Sequence, residues 1–233
     1  MKVRNMLIGA IVASVLGAGA ASAAELNWDQ GGGKSPGGTL VFDGTKIIGS
    51  NIGFDLMNAS GTAADGVYHC SNAGGTVTLG TTRCLLSFTS GPLDVIAGST
   101  YIFGSGGTIS MTGYLTTATP GNTGPVIAGS PLVLSGTVEA YAITLIGASG
   151  TASGLGIDFK DLSLGNFFGT GVNFDFTMSQ LAINGCTPTA AGFSCNVNNA
   201  DFQNVSGAVP EPGTLALLAL GLAGLGLSRR RIA

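Results

Sequence analysis

Charged side chains are scarce in this chain of 233 residues, because lysine, arginine, aspartate and glutamate together make up only 9% of it. A soluble domain typically has about 25%. The nine basic residues, set against twelve acidic ones, cannot form the basic surface that a nucleic-acid-binding protein needs. The composition therefore excludes nucleic acid as a partner, and it also excludes a highly charged disordered chain.

Histidine is scarcer still, with His69 as the one example, and tryptophan also occurs once. A Ser/His/Asp hydrolase needs a histidine base, and a multi-histidine metal enzyme needs several histidines, so the composition argues against both classes. Glycine is abundant, with 40 residues, but it follows no third-residue period, which excludes a collagen helix. We therefore expect a protein that is not an enzyme and has no catalytic residue, bound metal or cofactor.

The N-terminal segment has the pattern of a secretory signal peptide. Positive charge precedes an uncharged apolar run over 6–20, and Ala21-Ser22-Ala23 supplies the small residues of a cleavage site. The apolar run would form a helix of about 22 Å, which is shorter than the ~30 Å hydrocarbon core of a bilayer. The pattern predicts a signal peptide over 1–23, cleaved before Ala24 or Glu25, and export through the Sec machinery.

A second apolar segment lies near the C-terminus. Pro210-Glu211-Pro212-Gly213 precedes an uncharged stretch rich in Leu, Ala and Gly over 214–228, and Arg229, Arg230 and Arg231 follow. Residues before proline avoid the α region, so the tripeptide is extended. The apolar stretch predicts a short transmembrane helix with the arginines in the cytoplasm and the body outside. Such a short helix is a marginal anchor, which suits a temporary tether to the inner membrane.

The tripeptide, the Leu/Gly-rich stretch and the arginine cluster, in this order, resemble the PEP-CTERM sorting signal of Gram-negative bacteria. The resemblance covers residues 209–233. It implies that the chain is a substrate of an exosortase, a membrane-embedded cysteine protease that recognises the tripeptide and processes the anchor. It also implies that the body reaches the cell surface or extracellular matrix, where exopolysaccharide and biofilm formation are the expected associations.

The body between the two signals, residues 24–208, has a different charge from the whole chain. Its four basic and eleven acidic residues give a net charge of −7. An acidic body does not favour anionic polymers, whereas calcium is a partner that this sign permits. Much of the basic and apolar character of the chain therefore belongs to its two ends.

The body is predicted to be all-β. Residues 172–179 alternate four apolar with four polar side chains, which is typical of a half-buried antiparallel strand. No window shows a convincing helical period, and turn signals recur about every ten residues, among them Asn184-Gly185. Further predicted strands cover 39–42, 52–56, 75–79, 85–89, 101–103, 108–112, 137–146 and 157–164, with a bulge or tight turn at Lys160-Asp161. Strands at this spacing predict one antiparallel β-sandwich or jelly-roll-like domain.

Four cysteines lie in the exported body, which favours two disulfides in an oxidising compartment. Of the three possible pairings, the spacing favours Cys70–Cys84 and Cys186–Cys195, since each pair flanks a segment of small residues. A zinc site is the alternative, but the chain has no Cys-x-x-Cys motif. We therefore predict two disulfides and no metal site.

Particular side chains leave two alternatives open: a site made of carboxylates and a carbohydrate-binding module. Asp158, Asp161 and Asp175 fall on or beside neighbouring predicted strands and could meet at one edge, as a secreted glycosidase or a calcium site would require. Trp28 and the tyrosines are the aromatic platforms available to a carbohydrate-binding module. A solvated acidic face explains the aspartates more simply. The sequence thus favours a surface-sorted structural or matrix-associated protein.

Overall fold

Antiparallel strands make up most of the structure, a computed structural model that describes residues 23–30, 37–128 and 132–206. Within these ranges there are fifteen strands and one helix. Their bounds are β1 (Glu25–Asp29), β2 (Thr39–Phe42), β3 (Ile47–Phe54), β4 (Leu56–Ser60), β5 (Gly66–Ser71), β6 (Cys84–Thr89), β7 (Leu93–Ala97), β8 (Thr100–Phe103), β9 (Gly107–Thr112), β10 (Tyr114–Thr116), β11 (Val126–Ala128), β12 (Leu132–Ile146), β13 (Ser149–Lys160), α1 (Leu162–Phe168), β14 (Asn173–Pro188) and β15 (Phe193–Ser206).

The strand pairings close a ring of eight strands in the order β2-β3-β6-β9-β12-β13-β14-β15, because β15 pairs with both β14 and β2. Two branches leave the ring. One, β1-β4-β5-β10-β11, starts where residues 202–205 of β15 pair with β1. The other, β8-β7, starts from residues 141–144 of β12. The long strands make these branches possible, since the two ends of β12 and of β15 pair with different neighbours.

The all-β, antiparallel part of the prediction is confirmed. The predicted sandwich would have two separate sheets. In the structure, the fifteen strands are joined in one continuous sheet. The difference arises from β12 to β15, which are 12 to 16 residues long. A sequence pattern shows the length of such a strand only approximately and does not show that its two halves pair with different partners.

Several predicted strands coincide with observed ones, and one is wrong. Residues 39–42 form β2, and residues 173–179 of the alternating window form the first part of β14. Residues 75–79 contain no strand and make a single bridge between Thr76 and Thr123. The backbone N–H of Thr78 donates to the Thr82 hydroxyl at 2.7 Å, and the Thr78 carbonyl accepts from the amides of Thr81 and Thr82 at 2.9 Å. Threonine side chains here stabilise a turn in place of a strand.

The predicted turn at Asn184-Gly185 is also wrong. These residues lie within β14, where the register with β15 shifts between Asn184 and Thr187. Gly185 and Cys186 lie opposite the single residue Cys195, so β14 has one extra residue here, which forms a bulge. The chain reverses later, between Pro188 and Phe193, where the Thr189 amide donates to the Gly192 carbonyl at 3.0 Å. Asparagine and glycine suit a bulge as well as a hairpin turn, so the dipeptide alone does not distinguish the two.

Helix α1 occupies the end of the segment 157–164 that was predicted as a strand. Asp161, predicted as part of a bulge or turn, is its N-cap, and the carboxylate accepts the Ser163 amide at 3.0 Å. The helix ends at Gly169, which adopts the left-handed conformation. It buries Leu164 and Phe168. A seven-residue helix is too short to show a helical period, so its cap is the one sequence signal for it.

The inward side of β13 carries small residues because neighbouring aromatic rings occupy the core beneath it. A Cβ atom at Gly156 would lie 2.7 Å from the ring of Phe176, and one at Gly154 would lie 2.5 Å from the ring of Tyr141. These two positions therefore require glycine. The alternation of the strand then places Asp158 inward as well, while Leu155, Ile157 and Phe159 face outward.

The first and last residues of the described body pair with each other. The Ala24 amide donates to the Ser206 hydroxyl at 2.9 Å, and the Ser206 amide donates to the Ala24 carbonyl at 2.8 Å. Residues Ala24–Gly207 form one compact unit. The residues before position 23 and those after position 206, which include most of the signal peptide and the whole sorting segment, lie outside the described residues.

Candidate functional site

The predicted cluster of Asp158, Asp161 and Asp175 does not form. Asp158 is fully buried on the inward side of β13, whereas Asp175 is exposed on the outward side of β14. Asp161 caps α1. The prediction that these side chains could meet at one edge is therefore wrong, because alternation places the two strand carboxylates on opposite sides of the sheet. They provide neither a glycosidase pair nor a calcium site.

Asp158 belongs instead to a buried polar network. Its carboxylate accepts hydrogen bonds from the Lys160 ammonium and from the Asn204 side-chain amide. The Asn204 carbonyl oxygen in turn accepts the indole N–H of Trp28 at 2.8 Å. The Lys160 nitrogen also lies 4.6 Å from the centre of the Phe174 ring, within the range of a cation–π contact. This network joins β1, β13, β14 and β15.

Burial dominates the protonation of both charged members of this network. Removal from water raises the pKa of Asp158, and the nearby charge of Lys160 only partly offsets the effect. Burial likewise lowers the pKa of Lys160 to about 8, although the negative charge of Asp158 favours the protonated form of Lys160. Both side chains are fully buried, so neither is accessible from the surface. The network is an internal connection between strands.

A second buried ion pair lies beside the first disulfide, and the sequence analysis missed it. Asp55 Oδ2 is 3.4 Å from Arg83 Nε, and Asp55 Oδ1 accepts the Gly80 amide at 2.8 Å. Burial raises the pKa of Asp55 and lowers the pKa of the nearby His69. The Asp55 carbonyl also accepts the Cys70 amide at 2.8 Å. The signal available in the sequence was a charged residue inside the apolar window 52–56.

The cysteines form the two pairs that their spacing favours. Cys70 is joined to Cys84 and Cys186 to Cys195, so the prediction of disulfides is confirmed. No cysteine within the described residues is free, and the same part of the chain contains no group of three or more potential metal ligands among His, Cys, Asp and Glu. The first disulfide connects β5 with β6, and the second links β14 with β15.

Three of the five aromatic side chains proposed as a platform for carbohydrate binding are buried, whereas Tyr101 and Tyr114 are partly exposed. Trp28 is 1% exposed and Tyr141 is 2% exposed. Tyr68 is also buried, and its ring packs edge-on against Phe168 with ring centres 5.2 Å apart. The prediction for Trp28 is therefore wrong. Trp28 alternates with polar residues in β1, and its position on the core side of that strand makes it a packing residue.

A shallow polar concavity on the outward side of β4, β1 and β15 was not predicted. It is lined by the amide side chains of Asn27, Asn58 and Gln203, which lie in one row across the three strands. Asp29 and Asp201 line it as well, and burial together with the charge of Asp29 raises the pKa of Asp201. The sequence signal for it is the polar alternation of β1.

The residues predicted to be the signal cleavage site lie at the edge of the body. Ala23 is exposed, and Ala24 is buried through its pairing with Ser206. Glu25 is the first residue of β1. A chain that begins at Ala24 keeps both backbone contacts with Ser206, whereas a chain that begins at Glu25 loses them. Cleavage of the signal peptide, before Ala24 or before Glu25, stays a prediction.

The sorting residues Pro210, Glu211, Pro212 and Gly213, the apolar stretch, and Arg229, Arg230 and Arg231 lie outside the described residues. Their assignment comes from comparison, since residues 208–231 match the family model of the PEP-CTERM protein-sorting motif. The chain carries a PEP-CTERM sorting motif. This finding confirms the resemblance. The motif implies export, membrane-associated sorting and processing by an exosortase.

The remaining comparisons identify no relative of the body. No curated protein and no solved structure matches the chain. Among the described residues, no helix has the length and apolar character needed to cross a bilayer. The predicted transmembrane helix over 214–228 falls outside these residues, so it stays a prediction.

Proposed function

We propose that this PEP-CTERM protein is an exported structural or matrix-associated protein of the cell surface, and that it is not an enzyme. An exosortase processes it, and it contributes to an exopolysaccharide-containing matrix or biofilm. The observation that carries the proposal is the match of residues 208–231 to the sorting motif. Export through the Sec machinery, a transient anchor in the inner membrane and a final place at the cell surface belong to the same proposal.

The body supports a structural role because its buried charged groups are engaged with one another. Asp158 pairs with Lys160, and Asp55 lies beside Arg83. The two disulfides stabilise the fold in the oxidising environment that an exported protein meets. These features account for the most unusual polar groups of the body without a reaction.

The sorting signal acts through three parts in this proposal. The tripeptide Pro210-Glu211-Pro212 presents an extended backbone that a protease can bind, because proline prevents a helix there. The apolar stretch 214–228 holds the tripeptide at the outer surface of the inner membrane. Arg229, Arg230 and Arg231 fix the orientation of the anchor.

The proposal is tested by replacing Pro210, Glu211 and Pro212 with alanine in a host that expresses an exosortase. We expect the uncleaved precursor to accumulate in the membrane fraction, as detected by immunoblotting and mass spectrometry. Asp94→Ala is the matched control, because it removes an exposed acid of β7 from the body and should leave processing unchanged. Normal processing of the triple variant would refute the assignment.

A second candidate function, carbohydrate binding, is favoured by the polar concavity. Its amide side chains can donate hydrogen bonds to the hydroxyl groups of a sugar, and its amide and carboxylate oxygens can accept hydrogen bonds from them. We expect the full chain to be retained on native exopolysaccharide, and the pair Asn58→Ala and Gln203→Ala to reduce retention. Equal retention of the variant and the wild type would exclude this site.

A further inference from the structure

The outward side of β13 carries an apolar stripe, the β13 stripe, formed by Leu155, Ile157 and Phe159. These side chains are 46%, 37% and 50% exposed. They lie in a line because alternate residues of a strand share one side. Val205, which is 37% exposed, lies in the same row as Ile157, since both residues pair with Asp175 on the intervening strand. Clustered exposure of this kind marks an interaction surface.

The fold does not require apolar side chains at these positions. Thr137 and Thr177 occupy neighbouring outward positions, opposite Ile157 and Leu155 respectively. Threonine has a high strand propensity and would serve equally well in β13. The glycines on the inward side explain why large residues of β13 face outward, but they do not explain why those residues are apolar. The stripe therefore needs an explanation outside the body.

The stripe ends at the edge where the chain leaves the body toward its sorting motif. Asp158 and Ser206 both pair with Phe174, so Ser206 lies in the row between Ile157 and Phe159. Pro210 follows four residues later, a distance that the chain spans with at most ~14 Å. The strands β13 and β15 are two strand spacings apart, or roughly 10 Å. A short tether thus leaves the body beside the stripe.

We propose that the β13 stripe docks on the lipid surface of the membrane that receives the sorting motif. This inference rests on the proposed function, because the tether must first bring the body to that membrane. A linker of a few residues gives the tethered partner an effective concentration on the order of millimolar. A few half-exposed apolar side chains then suffice for docking, although they would bind weakly from solution. Apolar groups of peripheral proteins enter the headgroup boundary by about 5–10 Å.

The charge around the stripe selects the class of lipid. Asp175 lies between Ile157 and Val205, and Glu139 lies in the bulge of β12 next to Leu155. The body also has a net charge of −7 from its four basic and eleven acidic residues. Anionic headgroups are repelled by these acids, whereas zwitterionic headgroups offer ammonium groups to them. The docking surface is therefore specific for zwitterionic lipid.

The experiment places a tryptophan reporter in the full-length chain, tethered to zwitterionic vesicles that contain brominated lipid. Phe159→Trp places the reporter on the stripe. Ile146→Trp is the control. Ile146 is 78% exposed and lies at the end of β12, opposite the start of β13 and far from Phe159. Trp28 gives a constant background, since it is 1% exposed. We expect lipid bromine to quench the emission of the Phe159→Trp chain and to leave that of the Ile146→Trp chain unchanged.

Adding Ile157→Thr to the Phe159→Trp chain should reduce this quenching, whereas Val67→Thr, at an exposed valine of β5, should leave it. Mixing anionic lipid into the vesicles should also reduce the quenching.

Vesicle flotation distinguishes failure of the tether from failure of the docking. A chain that does not float refutes the tether, and the docking with it. A chain that floats but shows equal quenching at both reporters refutes the docking alone. Quenching that follows protein density at constant lipid composition would show contact with a second copy, and would also overturn the proposal.

Discussion

Removal of the Lys160 ammonium from the buried network should destabilise the body strongly. Lys160→Met keeps an unbranched apolar side chain next to Phe174 but leaves Asp158 without its cation. Both side chains are fully buried, and removing one partner of a buried pair typically costs about 3–5 kcal/mol. That loss is a large part of the stability of a domain, which is about 5–15 kcal/mol. Urea unfolding followed by the fluorescence of Trp28 measures it.

The loss should depend on pH in a defined direction. Without Lys160, the pKa of Asp158 rises further above its ordinary value of 3.8, because the hydrogen bond from Asn204 is then left to offset the effect of burial. A carboxyl with a raised folded-state pKa contributes stability below the unfolded value and loses it as pH rises through the folded value. The difference in unfolding free energy between variant and wild type should therefore be smaller at about pH 5 than at about pH 8.

Two further variants make the result decisive. The double variant Asp158→Asn with Lys160→Met should recover much of the lost stability, since it leaves no unpaired charge in the core. Lys46→Met is the matched control, because Lys46 is exposed, and it should change the unfolding free energy by less than about 0.5 kcal/mol. A loss below about 1 kcal/mol in Lys160→Met, or a loss that is equal at both pH values, would refute the reasoning.

Variants at three other places test separate parts of the fold by urea unfolding. Replacing Cys70 and Cys84 with serine removes a crosslink that closes a loop of 14 residues, and it should cost about 3 kcal/mol; no loss would mean that the disulfide is dispensable. Asp161→Ala removes the carboxylate that caps α1 and should cost about 1 kcal/mol, while Asp161→Asn, which keeps a cap, should cost less. Gly156→Ala introduces a Cβ atom 2.7 Å from the Phe176 ring and should cost about 1–3 kcal/mol, so an unchanged midpoint would contradict the close packing of β13.

The strand content and the disulfides could be predicted because they depend on local patterns. Residues 172–179 alternate regularly, and β14 is found there. The pairs Cys70–Cys84 and Cys186–Cys195 are close in sequence, so a short loop joins each pair. These signals involve residues within one strand or one hairpin. The sorting motif is equally local, since its three parts follow one another in the chain.

The inward and outward sides of β13 could not be predicted from its own residues. Ile157 and Phe159 have the apolar character of core positions, yet Asp158 and Lys160 are buried. The choice depends on Phe176, from the next strand, and on Tyr141, from the preceding one, which fill the core over glycine. Partners of this kind are known only once strands are paired. For the same reason, the alternation of β1 alone could not locate the polar concavity, because its row of amide side chains crosses three strands.

The closing strand of the ring has a consequence for the timing of folding during export. The strand β15 pairs with β14, β2 and β1, so the ring and the first branch both depend on the last strand of the body. A chain that crosses the membrane N-terminus first cannot complete this sheet until Ser206 has emerged. The sorting motif begins at residue 208. Folding of the body and appearance of the motif outside the membrane are thus nearly simultaneous, and the chain must remain incompletely folded throughout its translocation.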